Sequence, residues 1–122
     1  MRKKILLVDD SSTILLMEKM VLKKTPYEIV TASNGEEAVA QALRERPDLI
    51  LMDVIMPKMG GFEACRRIRQ EEAIKHVPVI MVTTRGEAEN VEQGYESGCS
   101  DYITKPIDTT ELLAKLRNHL EN

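Results

Sequence analysis

The sequence predicts one α/β domain over residues 1–122, built as a doubly wound parallel sheet of five strands with helices on both faces. Two observations predict it. Short apolar runs alternate with amphipathic stretches of helical length from end to end, with no low-complexity linker between them. Reactive polar residues then recur at the ends of those runs, where sheets of this kind bind their ligands.

The strand candidates are Ile5 to Val8, Ile29 to Ala32, Leu49 to Met52, Val79 to Val82 and Tyr102 to Thr104. Most are rich in Ile, Leu, Val and Met, as strands buried on both faces require. Strand–helix–strand units connect right-handedly, so their repetition makes a parallel sheet.

After Ser11 and Ser12 a first helix should bury Ile14, Met17, Val21 and Leu22. A second, behind the capping pattern Ser33-Asn34-Gly35-Glu36, should bury Ala38, Val39, Ala42 and Leu43. The third follows Gly60-Gly61 with Phe62, Cys65 and Ile68 inward. A fourth, over Ala88 to Ser97, has only Ala88, Val91 and Tyr95 as an apolar stripe. It also contains Gly94, which costs about 1 kcal/mol relative to Ala, and it is expected to be the least firmly held. The last starts near Thr109-Thr110 and buries Leu112, Leu113, Leu116 and Leu120. Met17, Met20, Met52, Met56, Met59 and Met81 are expected to fill the core.

Composition excludes several classes of function. A net charge of -3 and an aromatic content of 3% give neither the electrostatic footprint nor the stacking platforms of a nucleic-acid binder. No apolar run approaches a membrane span, and Met1-Arg2-Lys3-Lys4 leads into too few apolar residues for a signal peptide, so a cytoplasmic location is expected. Cys65 and Cys99 lack metal-ligand spacing and are expected to be reduced structural thiols. His76 and His119 lie far from the polar strand ends in sequence, with no acid beside them, and neither is expected to carry phosphate.

Asp9 and Asp10 follow the first strand, Asp53 the third and Lys105 the fifth, while Thr83 ends the fourth. Carboxylates gathered at one place repel one another unless a cation neutralises them. A hard, oxygen-ligated ion answers that need, and Mg2+, which takes one or two carboxylates, waters and phosphate oxygens, fits Asp9, Asp10 and Asp53 better than a calcium cage. A phosphoryl group on Asp53 would have its three equatorial oxygens met by the metal, the Thr83 hydroxyl and the Lys105 ammonium. Asp53 is left as the nucleophile, forming an acyl phosphate open to attack by water.

These motifs, Val8-Asp9-Asp10-Ser11, Asp53-Val54-Ile55-Met56-Pro57-Lys58-Met59-Gly60-Gly61, Val82-Thr83 and Asp101-Tyr102-Ile103-Thr104-Lys105-Pro106, resemble those of a response-regulator receiver domain of two-component signalling, and the resemblance covers the whole chain. It implies a flavodoxin-like fold with strand order 2-1-3-4-5. It also implies that Asp53 takes a phosphoryl group from a histidine kinase or phosphotransfer protein, or from a small phosphodonor. Asp9, Asp10, Asp53 and the backbone carbonyl of Ile55 match the Mg2+ site. Thr83 and Tyr102 match a coupled switch, and Lys105 matches a phosphate-pairing lysine before a cis peptide bond. The implied output face is the fourth helix, fifth strand and fifth helix, read by a downstream effector protein. The implied role is a signalling phosphoacceptor that catalyses only its own phosphorylation and dephosphorylation.

The sequence departs from the family pattern at Thr84, where a smaller residue is usual, at Gly60, where Asp or Asn often caps the third helix, and at Cys99 and Ser100, which are expected to lie away from the reactive cluster. The resemblance implies that Ile55 and Arg85, two residues beyond Asp53 and Thr83, occupy positions that tune phosphoryl lifetime in the family. Glu87, Glu89, Glu92 and Glu96 read as a solvated helix face. Two other functional readings compete with this one. One is a receiver-fold interaction module working without phosphorylation, or a receiver excised from a longer regulator. The other is a phosphatase of the haloacid-dehalogenase type with Asp9 as nucleophile, which would want Asp-x-Asp where the chain has Asp9-Asp10-Ser11. The phosphate-binding loops G-x-G-x-x-G and G-x-x-x-x-G-K-[ST] do not occur.

Overall fold

A computed structural model describes residues 2–84 and 88–121, without the side chains at 84 and 88–91. Arg85 and Glu87, and the side chains of Thr84, Ala88, Glu89 and Val91, therefore lie outside the described residues. Five strands, β1 (Lys4–Val8), β2 (Glu28–Ala32), β3 (Leu49–Asp53), β4 (Val79–Thr84) and β5 (Asp101–Lys105), form one parallel sheet in the order β2-β1-β3-β4-β5. The helices are α1 (Ser12–Leu22), α2 (Gly35–Glu45), α3 (Gly61–Gln70), α4 (Ala88–Glu96) and α5 (Thr109–Leu120). Strand boundaries differ from the expected ones by a residue or two, so Asp53 and Lys105 are the last residues of their strands and Thr83 is the penultimate residue of its own.

Alternation along the strands divides the core into two. Leu6, Val8, Ile50, Met52, Val79, Met81 and Tyr102 pack beneath the buried residues of α2 and α3, whereas Ile5, Leu7, Leu49, Leu51, Ile80, Val82 and Ile103 pack beneath those of α1 and α5. Leu112, Leu116 and Leu120 are buried as expected, with Leu113 at the margin. Cys65 and Cys99 are free and buried, and burial raises both thiol pKa values, that of Cys99 to about 11. Both are inert at neutral pH.

Several helix expectations need correction. On α1 the buried residues are Glu18 and Leu22, while Met17 is 55% exposed and Met20 65%, so neither methionine fills the core. Met52, Met56, Met59 and Met81 do. The cap of α2 sits one residue later than the pattern suggested: Asn34 accepts from the Glu37 amide at 2.9 Å, and the Ser33 hydroxyl donates to the Glu37 carboxylate at 3.1 Å. On α4 Tyr95 is exposed and stacks on Tyr102 with ring centroids 6.4 Å apart. Gly94 is buried because a Cβ there would crowd the Tyr102 ring at 3.2 Å and the Cys99 sulfur at 3.3 Å. That glycine permits close packing and is more than a weak point. His119 has an acid neighbour after all, with Nε2 3.0 Å from Oδ2 of Asp101.

Ser100 and Arg69 fix the approach to β5. The Ser100 amide donates to the Val79 carbonyl at 2.7 Å and its hydroxyl accepts from the Val79 amide at 3.1 Å. Arg69 donates to the carbonyls of Gly98 and Val77 at 2.8 and 2.7 Å.

Two predictions follow from packing. A Cβ on Gly61 would stand 2.2 Å from the Asp53 carbonyl oxygen, so Gly61→Ala should cost about 1–3 kcal/mol in urea denaturation. Glu18 is 5% exposed, and burial first, then the charge of Asp9, raises its pKa from 4.5 to about 8. Below 4.5 the carboxyl is protonated whether the chain is folded or not; between 4.5 and 8 the folded state keeps a proton that the unfolded chain has released. Stability therefore falls across that window relative to Glu18→Gln. The variant's advantage should grow by about 2–4 kcal/mol between the two ends of the window. An advantage that does not change with pH would show that Glu18 is not a buried titrating acid.

Candidate functional site

The site is built by where the strands stop. Val8 pairs in register with Met52, and Asp53 with Val82, so Asp9 and Asp53 emerge side by side at the carboxyl edge of the sheet. The Asp9 amide is held by the Ala32 carbonyl at 3.2 Å, and its carboxylate Oδ1 accepts from the Ser11 amide at 2.9 Å. Ser11 in turn caps α1 by accepting from the Ile14 amide at 3.2 Å. Asp53 Oδ1 accepts from the Val54 amide at 3.0 Å, and the Val54 backbone is fixed on both sides, to the Val82 carbonyl at 3.1 Å and from the Gly61 amide at 2.8 Å. Gly61 lets α3 begin directly against the Asp53 backbone.

Carboxylate oxygens of Asp9, Asp10 and Asp53 lie within 4.8 Å of one another. Asp9 and Asp53 are buried, while Asp10 is exposed. Lys105, from β5, sends its ammonium between the two buried acids, 3.5 Å from Asp9 Oδ2 and 3.3 Å from Asp53 Oδ1. Burial raises the Asp53 pKa and the charge of Asp9 adds to that, against the opposing pull of Lys105 and the Val54 amide. Partial burial works to lower the Lys105 pKa, yet Asp53 and Asp9 outweigh it and hold the ammonium above its ordinary value.

One ammonium among three carboxylates leaves an excess of negative charge, and all the donor atoms offered are hard oxygens. A divalent cation that prefers oxygen ligands fits that donor set. Of the expected site residues, Asp9, Asp10, Asp53 and Lys105 are brought together. Thr83 is 2% exposed and lies level with Thr104 of β5, on the sheet face that also carries Met81 and Tyr102. Tyr102 is buried against the α2–α3 side. The Ile55 side chain stands 75% exposed beside the site, and the Lys105–Pro106 peptide is cis. Gly60 is the N-cap of α3 and makes no side-chain cap bond.

Two features escaped the sequence reading. Leu16, Met17 and Met20 form an exposed apolar strip on α1, the helix that begins just after the acid pair. Glu18 sits between them on the buried face. Its position four residues after Ile14 and four before Leu22 was the available signal, because an acid at that spacing falls on the inner stripe.

Comparison with known proteins accords with this geometry. The family model described as response regulator receiver domain matches residues 5–117. The chain is 40% identical over 117 residues to the alkaline phosphatase synthesis transcriptional regulatory protein PhoP of Bacillus subtilis, covering 96% of this chain and 48% of that protein. It thus spans about half that relative's length. Among solved structures, a putative response regulator from Chloroflexus aurantiacus superposes with a TM-score of 0.95 at 34% identity, covering 100% of both chains. The receiver domain of sensor histidine kinase PA1611 from Pseudomonas aeruginosa, described with a magnesium ion coordinated in its active-site cleft, superposes with a TM-score of 0.92 at 31% identity, again over 100% of both chains. Here the cluster of Asp9, Asp10 and Asp53 offers oxygen ligands compatible with such an ion. With a family match over nearly its full length, a sheet in the order β2-β1-β3-β4-β5 and three acids facing a lysine at its carboxyl edge, the chain belongs to the response regulator receiver domain family.

Proposed function

We propose that this domain accepts a phosphoryl group on Asp53 from the phosphohistidine of a sensor histidine kinase or phosphotransfer protein, and that the modified domain alters its affinity for an effector protein. The observation that carries this reading is the Lys105 ammonium 3.3 Å from Asp53 and 3.5 Å from Asp9, with Asp10 completing the acid cluster. In the transfer an Asp53 carboxylate oxygen attacks phosphorus, the phosphorus–nitrogen bond breaks, and the imidazole leaves with the bonding pair and takes up a proton. Lys105 neutralises charge on the phosphoryl oxygens, and the Thr83 hydroxyl donates to another of them. Asp9, Asp10, Asp53 and the Ile55 carbonyl would hold Mg2+. When bound, that ion would supply neutralisation of the negative charge gathered at the acceptor. Water attacking phosphorus of the resulting acyl phosphate would break the oxygen–phosphorus bond, release inorganic phosphate and restore the Asp53 carboxylate.

Leu16, Met17 and Met20 on α1, the helix that begins two residues after Asp10, and Ile55, two residues after Asp53, are exposed apolar side chains, and that exposure supports docking of a protein partner on this side of the domain. Thr83 and Tyr102 share a sheet face, and Tyr102 stacks on Tyr95 of α4, which supports the pair as the route by which phosphorylation reaches α4, β5 and α5. A net charge of -3 favours protein partners over nucleic acid for this segment. No helix among the described residues is long and apolar enough to cross a membrane, in keeping with action in the cytoplasm.

Incubation with acetyl phosphate and Mg2+ should add one phosphoryl group by intact mass, and Asp53→Asn should abolish the adduct while leaving the fold intact. Labelling of Asp53→Asn at the rate of the unaltered protein would overturn the assignment. Magnesium alone should raise thermal stability, by about 2.7 kcal/mol at a hundred times its Kd, and Asp10→Asn should shift that response to at least about tenfold higher Mg2+. An unchanged Mg2+ titration in the variant would remove Asp10 from the metal site.

A further inference from the structure

A cavity of about 360 Å³ opens between α1, the loop after β5 and α5. Ile14, Met17, Ile107 and Leu112 give it apolar walls, and its two charged lining residues among those described are Glu18 and Lys105. The Lys105 ammonium is engaged by Asp9 and Asp53. Glu18 is 5% exposed, and its Oε1 has no hydrogen-bond partner among the described residues. A buried polar oxygen without a partner is left desolvated and unpaired, so a ligand that supplies a donor recovers a hydrogen bond the protein alone forgoes. Rotation about the last side-chain torsion exchanges the two carboxyl oxygens at little cost, so either is available at the cavity wall.

We propose that this cavity is a binding site for a small primary ammonium ion on a short apolar chain, with the Glu18 carboxylate as its counter-ion. Three arguments select that class. An ammonium carries three donors and no acceptor, which matches an ionised carboxylate that only accepts. The walls suit an aliphatic or aryl chain and offer few groups to a polar one. The field at Glu18 is negative on balance, because the charges of Asp9 and Asp53 together act on it against that of Lys105. An anion would meet that field unfavourably, and a cation relieves it.

The test is a methyl-resolved NMR titration of the whole chain at pH 8 with pentylammonium, in excess Mg2+ so that the acid cluster at Asp9, Asp10 and Asp53 does not compete for the amine. The expected result is saturable shifts confined to Ile14, Met17, Ile107 and Leu112. Affinity should fall at least tenfold for pentan-1-ol and for pentanoate, and by as much for pentylammonium with Glu18→Gln. Ile14→Trp, which fills the cavity and leaves Glu18 in place, should abolish binding with the amide spectrum otherwise preserved. The proposal is overturned if shifts fail to saturate, if the alcohol or the carboxylate binds as tightly as the amine, if either variant binds as the parent does, or if raising Mg2+ displaces the amine.

Discussion

Three carboxylates are forced together at the carboxyl edge of one sheet, and the rest of the structure is arranged around the repulsion among them. Parallel register brings Asp9 and Asp53 out side by side, and neither can withdraw: the Asp9 amide is held by the Ala32 carbonyl, and the Val54 backbone that directly follows Asp53 is held by Val82 and Gly61. Burial removes the water that would have screened them. Lys105 is the fold's own partial answer, and its ammonium is bound by both buried acids at once. One positive charge does not balance three negative ones. The remaining imbalance suits a hard cation, and under the proposed function a phosphoryl group that arrives with one. The residues whose charges conflict in the resting protein are the ones to which the proposed function assigns its chemistry.

Sheet geometry places the acid cluster and the proposed switch residues on separate parts of the fold. Residues that alternate along a strand face opposite helical layers, and β5 uses both faces within four residues. Ile103 packs beneath α1 and α5, whereas Tyr102 packs beneath α2 and α3 and meets Tyr95 of α4. Thr83, two residues beyond Met81 on β4, shares the Tyr102 face. A hydroxyl drawn toward a modified Asp53 would therefore leave space on the side where Tyr102 lies. A coupling of this kind needs no long pathway, since both groups project from neighbouring, hydrogen-bonded strands.

The sheet was legible in the sequence because buried parallel strands are continuous apolar runs, and the acids, threonine and lysine were legible because strand ends are where such runs stop. Strand order was not. It came from likeness to a family, because the right-handed crossover rule constrains each step without saying on which side of the sheet the chain turns back. On the helices, periodicity placed α3 and α5 well, since their inner positions are apolar. It failed on α1, where Leu, Ile and Met occupy nearly every position from Ile14 to Met17, so that no stripe stands out and the outward Met17 is indistinguishable from an inward one. Gly94 misled for a related reason: propensity treats the residue alone, whereas its value depends on the Tyr102 ring and Cys99 sulfur packed against it.

Glu18 is where local and global preferences conflict most sharply. A leucine there would complete the inner face of α1 with Leu22, add apolar burial and remove an unpartnered oxygen. The acid instead adds to a field already dominated by Asp9 and Asp53. Conflicts of this kind cluster at functional positions, because a stable fold tolerates them only where they are used. The location supports that reading. Glu18 lies on the same side of the sheet as Leu7, Leu51 and Ile103, each directly two residues before a member of the acid and lysine set, and it lines a cavity that Lys105 also borders. A cation seated against Glu18 would therefore change the potential at Lys105 without touching Asp53. By thermodynamic reciprocity, any change in the charge around Lys105 that accompanies phosphorylation would alter the affinity of the cavity for that cation by the same factor.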